Sequence, residues 1–356
     1  EGPPLWAAFT VGMGFYDWEH GHTLAIYTYD DEGWQVLNQL TLTDCAEYIN
    51  PDSLVQVEVE PSRIWLELQS FAGAHSGCFD LFSFDGEALR REVGTFNSSP
   101  GAGSLADLDG DGLLEVILND TENYVFCYAC SVRLPIFGIL RWDGDQFVDI
   151  MPELLPETAP ADVRHLNNLA GELTQGQLWK DAQAMIAEAA ALEVADLEFA
   201  STVAWNQSYI AMHAEALAEE VASGIYPLLS NVFYGDYGAA VDTMRPYSVD
   251  EIWGPDSPLI ADTVAEGWEG ALSDWIVWFA DEALPVAPGL APAYFMRAWG
   301  AHLLSPDDPA VIAGVERAVE LVPNDTLFAD SLAYLKPVEP KDEPGLVGVY
   351  EPLDSD

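Results

Sequence analysis

Three prolines fall within ten residues at Met151-Pro-Glu-Leu-Leu-Pro-Glu-Thr-Ala-Pro160, a density that neither a helix interior nor a central strand accommodates. The segment separates two stretches with different hydrophobic periods. Residues 1–150 are rich in β-branched and aromatic residues, with Gly and Asp at the breaks, as in short strands joined by tight turns. Residues 160–335 are rich in Ala, Leu and Glu, with apolar residues three and four apart, as in helices. The expected organisation is an all-β part over 1–150, a linker at 151–160, an all-α part over 161–335 and an extended, acidic, Pro-rich tail over 336–356.

Charge limits the partners. The chain has 356 residues, with 60 Asp and Glu against 12 Lys and Arg, a formal net charge of −48. Such a polyanion is a poor ligand for nucleic acid or an anionic membrane, whose contacts are built from Lys and Arg. Disorder is excluded as well, because 49 % of the residues are hydrophobic, with 12 Trp, 14 Tyr and 15 Phe. No apolar run is long enough to span a bilayer. The opening Glu1-Gly-Pro-Pro4 has neither the basic nor the apolar region of a signal peptide, so the chain reads as a mature, processed one.

Four cysteines, Cys45, Cys78, Cys127 and Cys130, all lie in the β part. An even number confined to one region suits two disulfides in a secreted protein. Three pairings are open, and Cys45 with Cys78 and Cys127 with Cys130 is the favoured one. Zinc is the rival for Cys127-Tyr-Ala-Cys130, but no second Cys pair or nearby His pair accompanies it. Glycosylation sequons occur at Asn97, Asn119, Asn206 and Asn324 and add weak support for secretion.

The β part repeats. Tyr27 to Val36, Leu81 to Leu89 and Leu140 to Val148 each read as strand, turn, strand, and their turn glycines, Gly33, Gly86 and Gly144, are 53 and 58 residues apart. Asp-Gly between alternating apolar runs is a strong hairpin signal. A further strand is expected before each hairpin, at 5–12, 63–71 and 113–119. Units of about 55 residues with three or four strands are similar to propeller blades. An open propeller fragment, a sandwich and a ring completed by neighbouring chains all remain open.

In the α part, helices are expected over 161–175, 178–192 and 197–223. The Gly235-Asp-Tyr turn, the Ala293 to Gly300 stretch and the Val311 to Pro323 stretch then resemble tetratricopeptide repeats, with an irregular insert at 247–258. The resemblance implies a TPR-like array of helical hairpins, a surface for holding other proteins. Trp275, Trp278 and Phe279 share a helix face, which suits core packing or the docking of another subunit.

The sharpest chemical motif is Asp107-Leu-Asp109-Gly-Asp111-Gly112-Leu-Leu-Glu115. Carboxylates at positions 1, 3, 5 and 9 with Gly at 6 suit a hard cation that takes six to eight oxygens. Asp107, Asp109 and Asp111 would give side-chain oxygens, Leu113 its backbone carbonyl, and Glu115 would close the site directly or through water. Position 12 is Leu118, where an EF-hand needs a bidentate acid, and strand residues follow. The loop resembles the calcium loop of FG-GAP and VCBS-type repeats of integrin-like propellers and bacterial surface proteins. That resemblance implies a structural Ca2+ site that stiffens the loop. His20-Gly-His22 beside Asp17 and Glu19, and His75, read as loop residues rather than metal ligands. Catalytic signatures such as Gly-x-Ser-x-Gly or His-Glu-x-x-His are missing.

The functional expectation is a secreted, non-enzymatic, calcium-binding structural or interaction protein, extracellular or at the cell surface. Its partners would be other protein subunits, itself included, in a surface layer or filament. A carbohydrate-binding protein or glycan-active enzyme is the second reading, and an intracellular repeat scaffold the third.

Overall fold

A computed structural model of the protein describes residues 4–10, 22–42, 53–71, 76–97, 101–123, 132–261 and 268–336. The amino-terminal region is built of antiparallel sheets and the carboxy-terminal region of helices. In the first sheet, β1 (Leu5–Thr10), β2 (His22–Asp30) and β3 (Gly33–Leu42) follow one another as a meander. The second is a four-stranded meander of β4 (Leu54–Val57), β5 (Ile64–Phe71), β6 (Gly77–Phe84) and β7 (Leu89–Asn97). The third has β8 (Gly103–Ala106), β9 (Glu115–Asn119), β12 (Phe137–Trp142) and β13 (Phe147–Asp149) in consecutive order. A two-stranded ribbon of β10 (Glu122–Asn123) and β11 (Arg133–Leu134) interrupts it between β9 and β12.

The three expected hairpins share one turn chemistry. Gly33, Gly86 and Gly144 have φ of 107°, 99° and 107°, a region closed to most side-chain-bearing residues. Asp30, Asp85 and Asp143 each accept a backbone N–H two residues on, from Glu32, Glu87 and Asp145. Such local bonds hold the turn without help from the sheet.

Apolar side chains hold the sheets face to face. Leu24, Ile26 and Leu42 of the first sheet meet Leu66, Leu68, Phe82 and Phe84 of the second. Trp65, Phe79 and Leu81 on the opposite face of the second sheet meet Val116, Leu140 and Trp142 of the third. Strand β6 is therefore buried along its whole length. Among the described residues no barrel or propeller closes. The Gly101-Ala-Gly-Ser104 stretch enters β8 at Gly103, where a Cβ would fall 2.5 Å from Cγ of Phe79. Close sheet contact, not turn geometry, requires glycine there.

The helices are α1 (Ala161–Gln175), α2 (Trp179–Ala190), α3 (Leu197–Ser223), α4 (Pro227–Tyr234), α5 (Tyr237–Asp242), α6 (Val249–Trp253), α7 (Pro258–Ala261), α8 (Glu269–Val286), α9 (Ala291–Leu304), α10 (Pro309–Leu321) and α11 (Thr326–Leu335). Sequence neighbours α1–α2–α3 and α8–α9–α10–α11 pack on one another. The stretch expected to be irregular at 247–258 holds α6, which opens with a capping box of Ser248 and Glu251. Trp253 Nε1 donates to Ser331 Oγ at 2.9 Å, and Trp299 Nε1 donates to the Ile252 carbonyl at 3.0 Å. Of the α8 aromatics, Phe279 is buried against Phe233, whereas Trp278 is exposed.

The Pro-rich segment between β13 and α1 has no helix or strand, yet it is bound along its length. Asn206 Oδ1 accepts the Glu153 N–H at 2.7 Å, and the Asn206 and Asn167 side-chain amides both donate to the Glu153 carbonyl. Asn168 bonds the N–H and carbonyl of Leu155. The third sheet packs on α3. His213, buried in α3, stacks on Trp179 at 4.4 Å, and its ring nitrogens lie 3.0 Å and 3.2 Å from the carbonyl oxygens of Tyr209 and Phe137.

Two predictions follow from this packing. Gly103→Ala forces β8 away from Phe79 and destabilises by about 1–3 kcal/mol, read as a lower urea midpoint. Burial holds His213 below its ordinary pKa of 6.5, against the two carbonyls that favour the charged ring. The neutral ring thus contributes stability that is present above pH 6.5 and lost as pH falls through the lowered value. Wild type should lose more stability than His213→Phe between pH 7 and pH 5, measured as paired denaturation curves.

Candidate metal centre

The acidic loop joins β8 to β9, which pair directly with Ala106 opposite Glu115. Its backbone is shaped by its own carboxylates. Asp107 accepts the N–H groups of Gly110 and Gly112 at 2.7 Å and 3.0 Å through its two oxygens. Asp111 accepts the Leu113 N–H at 2.7 Å, and Glu115 accepts the Leu108 N–H at 2.9 Å. Gly110 and Gly112 take φ of 78° and 89°, so the loop turns twice through conformations that favour glycine.

This folding brings oxygens of Asp107, Asp109 and Glu115 within 4.8 Å of one another, a separation one cation can span. Asp111 is exposed and stands outside that group. Leu113, expected to offer its carbonyl, is 41 % exposed at the side chain. Glu115 is fully buried on the helix-facing side of the third sheet.

A residue the sequence reading passed over also meets this cluster. Arg141 of β12 donates from Nε to Glu115 at 2.9 Å and from Nη2 to Asp109 at 2.6 Å. Its guanidinium lies 4.9 Å from the ring centroid of Trp205 in α3, a cation–π contact. Burial pushes the Glu115 carboxyl above its ordinary range, against the Leu108 N–H and Arg141, which pull it down. One guanidinium thus faces the carboxylates of Asp109 and Glu115, with Asp107 and Asp111 close by, and negative charge remains in excess. The donor set fits a hard, oxygen-seeking cation, which would compete with Arg141 for two of its ligands. The signal available in the sequence was a rare cation on an alternating strand, Leu140-Arg-Trp142, of a chain with few cations.

The remaining candidates separate clearly. Cys78, buried on β6, is disulfide-bonded. Cys45, Cys127 and Cys130 lie outside the described residues, and so do Asp17, Glu19, His20 and His75. His22 stacks on Phe9 at 5.8 Å. Asn206 is fully buried within α3, which closes its sequon to a glycan in the folded chain, whereas Asn324 is exposed.

Arg141→Met strands Glu115 as a buried charge without its partner and costs about 3 kcal/mol in chelator. The double variant Arg141→Met/Glu115→Gln recovers most of that loss, since no uncompensated charge remains. Denaturant titration of the two variants and wild type measures the coupling.

Among the described residues no helix is long and apolar enough to cross a membrane. No protein-family model matches this chain, and neither a curated protein nor a solved structure matches it.

Proposed function

We propose that the chain is a secreted, non-enzymatic, calcium-binding structural or interaction protein that assembles with other protein subunits, copies of itself included, at a cell surface or in an extracellular filament. The observation that carries this reading is the convergence of Asp107, Asp109 and Glu115 in a loop between two paired strands. A cation there would brace the β8–β9 hairpin and, through Arg141 and Trp205, the contact with α3. Calcium is favoured over magnesium because carboxylates on a loop of mixed exposure form a larger, more adaptable oxygen cage than the strict octahedron magnesium needs. The disulfide at Cys78 supports an oxidising compartment.

The FG-GAP-like reading of the β part draws support from three meanders, each carrying the same Asp-capped glycine turn. The TPR-like reading of the α part draws support from the serial pairing of α8 to α11. Both module types act by presenting surfaces. Glycan binding is the second reading, favoured by the exposed Trp6, Tyr29 and Trp34. Their rings meet at 73° and 65° and so make no flat platform for a sugar chain, which ranks this reading below the first.

Calorimetric titration of calcium into metal-stripped protein should show one site, lost in Asp107→Asn and Asp109→Asn. Calcium at a hundredfold excess over Kd should stabilise the fold by about 2.7 kcal/mol, and magnesium by less. No heat of binding together with no change of melting temperature on chelation would overturn the calcium assignment.

A further inference from the structure

Every Lys and Arg among the described residues pairs with a carboxylate, except Arg164 of α1. In a chain with 60 Asp and Glu against 12 Lys and Arg, a cation that meets no carboxylate is the exception. The Arg164 side chain makes one hydrogen bond, from Nη1 to the Glu157 carbonyl at 2.7 Å. The other N–H groups of its guanidinium have no partner among the described residues. Arg164 also lines an open cavity of about 250 Å³ on the outer side of α1, together with His165, Asn168, Leu169 and Glu172. Asn168 is held by both backbone groups of Leu155, and half-buried Leu169 packs on the helical core. These two side chains give the cavity a fixed, partly apolar wall. Arg164 and His165 stand toward one end of it and Glu172 toward the other, two helical turns away, about 12 Å along the axis.

A concave site with some apolar wall and a few polar anchors is what small molecules bind. We infer that this cavity holds a short zwitterion, with its carboxylate on Arg164 and its ammonium at Glu172. Guanidinium and carboxylate match as planar forks and bind through two parallel N–H···O bonds. The charge of the chain then selects among anions. A net charge of −48 repels an anion arriving from solvent, and a multiply charged phosphate most of all. A zwitterion carries no net charge and escapes that repulsion. Glu172 disfavours a simple anion for the same reason and attracts an ammonium. The spacing sets the length of the ligand. An extended tripeptide spans roughly 10 Å, enough to reach from Arg164 to Glu172, and a single amino acid does not. His165, exposed beside Arg164, can give the carboxylate a further N–H. This inference goes beyond the function proposed above and uses neither the acidic loop nor assembly.

Saturation-transfer NMR on the full chain in chelator, with triglycine as the probe, tests it. The expected result is a Kd of about 1 mM, which modest ligand efficiency gives for roughly thirteen non-hydrogen atoms. Binding should weaken with salt, because both anchors are charged and partly exposed. N-acetyl-triglycine, which lacks the ammonium, and triglycine amide, which lacks the carboxylate, should each bind about tenfold more weakly. Arg164→Met should weaken triglycine about tenfold or more, and Arg164→Lys should recover part of that loss by restoring the charge without the fork. Arg164→Met also gives up the bond to Glu157, so circular dichroism checks its fold. Glu172→Gln changes only an exposed side chain and should weaken triglycine while leaving N-acetyl-triglycine unaltered. No saturation transfer at about 10 mM triglycine, or transfer indifferent to both Arg164→Met and Glu172→Gln, overturns the inference. Inorganic phosphate that displaces triglycine at about a tenth of the peptide concentration overturns it too, by giving the cavity to a simple anion. Absence of calcium binding in calorimetry leaves these outcomes unaltered, so the two ideas fail separately.

Discussion

A sheet with two apolar faces needs two covers, and α3 supplies the last one in the stack. Its residues Trp205, Tyr209, His213 and Glu220 lie near one stripe, spaced by about whole helical turns. Each meets the β region or its exit. Trp205 takes the guanidinium of Arg141 and donates from Nε1 to the Met151 carbonyl. Tyr209 reaches the Met151 sulfur, His213 the Phe137 carbonyl, and Glu220 pairs with Arg133 of β11. Four contact chemistries on one helix fix its register against the third sheet. The two regions share buried contacts and do not hang on a tether.

The shortage of cations makes each one informative. Arg63, Arg90, Arg91, Arg133, Arg141, Lys180, Arg245, Arg297, Arg317 and Lys336 all pair with carboxylates, and Arg164 donates to the Glu157 carbonyl. Arg133, Arg141 and Arg245 tie segments far apart in sequence, and Arg141 holds a fully buried carboxylate. Exposed pairs such as Arg317 with Glu320 contribute little. The repulsion of the remaining acids is offset by apolar burial, which in the helical region runs from α1 to α11 as one cluster.

Local chemistry was legible in the sequence and long-range chemistry was not. The hairpin turns at Gly33, Gly86 and Gly144, the limits of α1 and α3, and the clustering of Asp107, Asp109 and Glu115 all follow from periodicity, caps and short-range spacing. Strand β8 was hidden because its glycine serves Phe79, 24 residues earlier in the chain, and glycine alone reads as a turn. Helix α6 was hidden because five residues are too few to show a period. Arg141 was hidden because its partners, Asp109, Glu115 and Trp205, come from three separate stretches of sequence. The role of segment 151–160 was half legible: proline content announced a break in regular structure, while its docking depends on Asn167, Asn168 and Asn206, which look like ordinary helix-surface residues until the fold places them inside.

Asn206 carries one more consequence. Its Nδ2, the atom to which an N-glycan would be attached, donates to the Glu153 carbonyl and to Asn167 Oδ1 in a site with no access to solvent. Oligosaccharide transfer acts on the emerging, unfolded chain, so a cell that modifies this sequon during synthesis would put a bulky polar group where α3 must close over the Pro-rich segment. Folding and modification at this position are mutually exclusive. Production in a bacterial host, or with Ser208→Ala to remove the sequon while keeping the asparagine, preserves the native junction.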